Sequence, residues 1–443
     1  MSARATALAL SSLALAMACS ARAAGVRRVE AGEVRFSLSE RARDVLADEP
    51  GLRAELEQAL VELFGDPQRP RFAGLDLLDQ HGFDPDSAPM AGTRPAAELE
   101  GARPEILRAD NRRAWAAELE AVQRGELDHI GPFSGRLRMT RQWGALLERR
   151  AELGEDELAR RAERFFVERV PDLAEAGDLF RGFCARCHGL QGGGDGPMAE
   201  RLFPRPRDYR LGLFKFASVE SGSKPRRLDL IRTLLNGLPG SAMPSWRALP
   251  LAEISALADY ARLLAMRGET ERMLLYEWEA QERRPRETAG EVYALVWERW
   301  LAAIDGAPVV AAPPPDPAPA RWAVGRALFL DQAGGNCVSC HGAEGRGDGE
   351  RALRVDADGG RFALLQDAWG NYLLPRDLTS GVFRGGGERE DIYRRIHCGV
   401  PGTPMPSLGT STGATGAPLL SEEERWALVD YVLSLSGRGP LAR

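Results

Sequence analysis

The chain has 443 residues, 44% of them hydrophobic and 28% charged, with a net charge of −6. That is long enough for two or three globular cores, and the composition is that of an ordinary soluble protein. Nothing in it predicts nucleic-acid binding, and the basic residues, arginine everywhere except Lys215 and Lys224, read as genomic base composition rather than a designed cationic face.

In chain order, Met1-Ser2-Ala3-Arg4 leads into an apolar stretch from Ala5 to Ala18. This is the length of a signal-peptide core and too short to span a bilayer. Residues 1–23 are expected to be a signal peptide, because Ala21-Arg22-Ala23 puts small residues where a peptidase reads them. Lipidation of Cys19 is the alternative, although Ala16-Met17-Ala18 lacks the upstream leucine usual for it. The expected location is periplasmic, with membrane attachment only through a lipidated Cys19, since no later stretch is apolar enough for a membrane helix.

Residues 26–171 are rich in Glu, Arg, Ala and Leu, and Leu52 to Phe64 repeats its apolar residues at helical spacing. An N-terminal helical region is expected there, with no assigned role. His81 and His129 stand alone and are read as surface residues. Two similar segments follow, 172–266 and 321–438. Residues 267–320 between them hold a helical stretch, Glu291 to Ile304, and a Pro- and Ala-rich linker around Pro313-Pro314-Pro315.

The two segments are a degenerate repeat. Cys184-Ala185-Arg186-Cys187-His188-Gly189, then Gly194-Asp195-Gly196, is answered by Cys337-Val338-Ser339-Cys340-His341-Gly342, then Gly347-Asp348-Gly349. Pro206-Arg207-Asp208 matches Pro375-Arg376-Asp377, and Pro239-Gly240 with Met243-Pro244 matches Pro401-Gly402 with Met405-Pro406. Three blocks in one order imply duplication.

In C-x-x-C-H the cysteines add as thioethers to the haem vinyl groups, and the histidine is held where its imidazole reaches the iron. A shared four-cysteine zinc site is the alternative reading. It is disfavoured because the pairs lie far apart and both are followed by histidine. Met243 and Met405 are the expected sixth ligands, each in a Gly- and Pro-rich loop at equivalent repeat positions. Met198 competes in the first half, with Glu350 taken as its counterpart. His397 and Cys398 are potential iron ligands in the second half, where the first has Leu235 and Asn236. Arg207 and Arg376 are candidates to pair with haem propionates, or alternatively with the neighbouring aspartates.

These residues resemble the class I cytochrome c family: a helix with Phe180 or Phe329 before C-x-x-C-H, a distal Met before Pro, and a closing helix with Leu257 and Tyr260 or Leu428 and Tyr431. The resemblance implies a mainly α fold, two cytochrome c-like helical domains in tandem after the N-terminal helical region. It further implies two covalently bound haem c groups on Cys184, Cys187, Cys337 and Cys340, with iron held by His188, Met243, His341 and Met405. The expected function is electron transfer between periplasmic or membrane-bound redox proteins, such as a periplasmic dehydrogenase or a membrane oxidase, by a carrier rather than a catalyst. The alternatives are a dihaem peroxidase or thiosulfate-oxidising enzyme, or a cytochrome subunit of a larger oxidase or reductase.

Overall fold

The computed structural model describes residues 35–72, 173–249, 251–303, 309, 319–332, 334–411 and 419–437. Cys19, His81, His129 and most of the expected linker lie outside them. Residues 1–36 form one unit and residues 37–443 a second, and the second holds every helix and strand among the described residues. The described residues are mainly helical, 51% helix and 4% strand, as expected.

Near the N-terminus lie two helices, α1 (Glu40–Val45) and α2 (Pro50–Phe64). Pro50 sits in the first turn of α2, where its missing N–H costs nothing, and Leu52, Leu56, Leu60 and Leu63 make one buried stripe. The helical spacing read from Leu52 onward is therefore the face that packs.

The first C-terminal domain is built from α3 (Leu173–Phe183), the single turn α4 (Ala185–His188), α5 (Arg227–Asn236) and α6 (Leu251–Gln281). α6 runs through the boundary expected at residue 266, and α7 (Pro285–Ala302) turns back along it. The stripe of α2 packs on both: Phe64 meets Tyr293 edge-on at 5.4 Å, and Phe72 meets Trp297 at 5.6 Å. Ser39 N donates to Glu271 on α6 at 2.8 Å.

The second domain repeats the plan with α8 (Pro319–Leu330), α9 (Val338–His341), α10 (Arg389–Cys398) and α11 (Glu422–Leu435). Its closing helix starts in a capping box, Ser421 Oγ accepting from Glu424 N at 3.2 Å while the Glu424 carboxylate accepts from Ser421 N at 2.7 Å. In each domain the first helix crosses the last. Phe180 packs on Tyr260 at 5.2 Å, and Phe329 on Tyr431 at 5.3 Å. Ala176 is fully buried at one crossing. Gly325 stands at the other, where a Cβ would lie 2.0 Å from the Ala427 carbonyl oxygen.

Only the second domain has strands among the described residues. Its segment between the Gly-Asp-Gly turn and Pro-Arg-Asp folds into two antiparallel hairpins, β1 (Leu353–Val355) with β2 (Arg361–Ala363), and β3 (Leu365–Gln366) with β4 (Tyr372–Leu373).

Candidate haem sites

Each C-x-x-C-H motif is wound as one helical turn that follows the first helix of its domain. His188 N donates to Cys184 O at 2.9 Å, and His341 N to Cys337 O at 2.8 Å. The next residues, Gly189 and Gly342, have φ of 73° and 74°. A Cβ on either would collide with the carboxylate of Asp195 or Asp348, which explains the glycine and the Gly-Asp-Gly together. The turn then closes back on the motif, with Gly194 N donating to His188 O at 2.9 Å and Gly347 N to His341 O at 2.8 Å.

The same comparison corrects the counterpart of Met198. Met198 N donates to Arg186 O at 3.0 Å, and the equivalent bond in the second domain runs from Arg351 N to Ser339 O at 2.9 Å. Arg351, not Glu350, occupies that position.

Both histidines are oriented from behind by the repeated Pro-Arg-Asp, through its main chain. His188 Nδ1 lies 3.1 Å from Arg207 O and His341 Nδ1 lies 3.3 Å from Arg376 O. A carbonyl only accepts, so Nδ1 carries the proton and Nε2 is left with its lone pair for another partner. Burial lowers the pKa of both imidazoles, and the carbonyls oppose that shift. The neutral form that a metal requires is therefore favoured. The turn holding each carbonyl is fixed by its aspartate, Asp208 accepting from Arg210 N and Asp377 from Thr379 N, both at 2.9 Å.

The side chains of the two arginines go elsewhere. Arg207 lies over the ring of Trp369 and Arg376 Nε donates to Val382 O at 2.6 Å, while Asp208 pairs with Arg210. The expected alternative of pairing with the neighbouring aspartate does not hold.

The methionine loops are also built twice. Leu238 N donates to Met243 O at 3.1 Å and Val400 N to Met405 O at 3.2 Å. The Ser241 and Thr403 hydroxyls each receive the methionine N–H at 3.2 Å and donate to the Leu238 and Val400 carbonyls at 2.7 Å. Ser245 and Ser407 tie each loop to the helix before it, donating to Leu235 O and His397 O at 2.5 Å. In the first domain Cys184, Cys187, His188 and Met243 line one cleft, with Leu230 and Trp246 among its apolar walls.

The four motif cysteines are free thiols, and burial pushes Cys184 up to about 12 and Cys337 up to about 11. They do not come together: among the described residues no three His, Cys, Asp or Glu side chains gather around a metal-sized space. The zinc reading therefore has no geometry behind it. The donor set fits a haem instead, with paired thiols on one turn, a neutral imidazole with a free nitrogen and a thioether facing an apolar cleft.

His397 and Cys398 are occupied away from the motif. His397 Nε2 meets Glu220 of the first domain at 2.7 Å. Cys398 is buried among Arg395, Glu220, Asp229 and Arg394, and burial raises its pKa to about 11.

Several contributors were not singled out in the sequence. Tyr209 stacks on His188 at 4.8 Å, where the second domain has Leu378. A buried ion pair, Arg227 with Asp259, joins α5 to α6, and its repeat counterpart, Arg389 with Asp430, joins α10 to α11.

Comparison with known proteins agrees with this geometry. Residues 322–436 match the family described as Cytochrome c, and residues 171–260 match Cytochrome C oxidase, cbb3-type, subunit III. No curated protein matches the chain. Among solved structures, a chain of the reducing HAO-like protein complex of Kuenenia stuttgartiensis is 29% identical, covering 60% of this chain and 96% of its own, with a TM-score of 0.44. The chain therefore carries two c-type cytochrome domains in tandem, over residues 171–260 and 322–436, a class of domain that binds haem c covalently and transfers electrons.

Proposed function

We propose that the protein is an exported dihaem electron carrier that takes electrons from one redox protein and passes them to another, a periplasmic dehydrogenase and a membrane oxidase being the kinds of partner it suits. One haem c is held by Cys184, Cys187, His188 and Met243, and the other by Cys337, Cys340, His341 and Met405. A haem iron bound this way supplies one-electron exchange between its ferrous and ferric states. The protein's part would be to offer each iron an imidazole nitrogen and a thioether, from His188 with Met243 and from His341 with Met405, and to leave no place for water.

The observation that carries this reading is the duplication of the ligand loops down to single hydrogen bonds, since a site that needed an open iron would have no use for two identical methionine loops. Residues 1–23 act as the signal peptide in this reading; the alternative, processing before Cys19 with a lipid on that residue, would be the route to a membrane. The test is a haem count by mass spectrometry, together with the optical spectrum of oxidised holoprotein in wild type, Met243→Ala and Met405→Ala. Two haems, and loss of half the long-wavelength sulfur-to-iron band in each variant, are expected. An unchanged band in Met405→Ala would overturn the carrier reading and favour a catalytic second haem.

A further inference from the structure

The β3–β4 hairpin of the second domain has no counterpart in the first, and its turn carries Asp367 and Trp369. This turn reaches across to the first domain. Trp369 Nε1 donates to the carbonyl of Asp208 at 3.1 Å, and the Arg207 guanidinium lies 3.5 Å from the centre of the indole ring. Asp367, with its side chain 6% exposed, faces Arg207 at 3.8 Å and Lys215 at 3.5 Å. Arg207 is the residue whose carbonyl orients His188. The hairpin thus grips the arginine's side chain and the peptide that follows the carbonyl.

The opposite edge of the indole meets the second domain's methionine loop. A Cβ on Gly402 would lie 2.4 Å from the Trp369 ring, so only glycine leaves room for it. Ala368 N donates to Gly402 O at 2.9 Å, and the turn that starts there ends at Met405. One aromatic ring therefore spans the support of the first domain's histidine and the loop that carries the second domain's methionine.

We propose that Trp369, backed by Asp367, is a positioning residue shared by both haem centres, so that the reduction potential of each is set in part by the other domain. This rests on the reading of His188 and Met405 as iron ligands. The physical route is short. The bond from Nδ1 to its carbonyl fixes how basic the imidazole is, and outer partners of this sort tune the metal they never touch. A guanidinium held over an indole and against a buried carboxylate keeps that carbonyl in place. Because the ring touches the supports of both ligands, a change at Trp369 registers at both, and any shift that one centre's oxidation state imposes on the other is reciprocal.

The experiment is a redox titration of the full-length holoprotein, comparing wild type with Trp369→Ala, Trp369→Phe and Asp367→Asn. Met243→His marks the first centre's wave by shifting it downward. Trp369→Ala is expected to displace both waves and Trp369→Phe to displace them less, because an aromatic ring remains for Arg207 to lie over while the indole N–H and the outer edge against Gly402 are lost. Asp367→Asn is expected to raise the first wave alone, since removing a carboxylate beside Arg207 and Lys215 disfavours the oxidised iron. If Trp369→Ala folds and leaves either wave where it was, the proposal is wrong. Should that variant fail to fold, the other two decide: an unmoved first wave in both overturns it. Failure of the ligand reading looks different, because Met243→His would then move no wave and leave the sulfur-to-iron band intact.

Discussion

In the first haem domain Arg227 grips Asp259 with two bonds of 2.7 and 2.6 Å, with side chains only 8% and 1% exposed. Each aspartate also meets a second arginine, but Arg262 beside Asp259 is 1% exposed, whereas Arg389 and Arg321 around Asp430 are 21% and 17% exposed. The repeat has kept the tie between the ligand-loop helix and the closing helix but changed its surroundings. The closing helix α6 is 31 residues long and is covered by α7 and α2, whereas α11 has 14 residues. One domain has been absorbed into a larger core while the other keeps the proportions of a free-standing unit. The same ligand-loop geometry is thus held in two different surroundings.

That contrast can be broken most forcefully at the ion pair. Asp259→Ala takes the carboxylate from two buried guanidinium groups, Arg227 and Arg262, and is expected to cost about 3–5 kcal/mol in denaturant unfolding. Asp430→Ala should cost distinctly less, because its arginines reach water. Equal losses would show that burial is not what separates the domains. Next in size, Gly325→Ala forces a methyl group into the Ala427 carbonyl and is expected to destabilise the second domain by about 1–3 kcal/mol. The first-domain haem band should survive to higher temperature.

A smaller effect of opposite sign is expected at Gly182, near the end of α3, where an added Cβ meets nothing within 4 Å. Gly182→Ala should stabilise by about 0.5–1 kcal/mol, seen as a raised melting temperature. The smallest effect concerns Lys215, whose pKa is lowered to about 8, first by burial and then by Arg207, with Asp367 opposing and Arg384 adding to the repulsion. Losing that positive charge as pH rises through about 8 favours the oxidised iron nearby. The first midpoint should therefore fall over that range in wild type and stay level in Lys215→Met, measured by potentiometry.

The C-x-x-C-H turns, the methionine loops and the crossing terminal helices were legible because each needs particular side chains at fixed spacing. The supports of the histidines were not, since Arg207 and Arg376 work through carbonyls that every residue possesses. The Arg227–Asp259 tie and its counterpart were visible in the repeat only to a reader comparing residues 32 or 41 positions apart. The β3–β4 hairpin left no trace because its partners lie in the other domain, and no local pattern records a contact of that range. Gly325 looked like any helical glycine until the Ala427 carbonyl was placed beside it.

The continuity of α6 has a consequence for how this molecule can be taken apart. At 1.5 Å per residue the helix is a rod of about 46 Å, whose first half closes the haem domain and whose second half carries α2 and α7. A fragment ending at residue 266 would snap the rod at midpoint and strip Trp300, Tyr293 and the stripe of α2 of their shared support. The least piece that keeps the first haem in its native setting extends to Ala303. Recombination that moved this domain as a cassette would have to move the rod, and everything leaning on it, along with the cofactor.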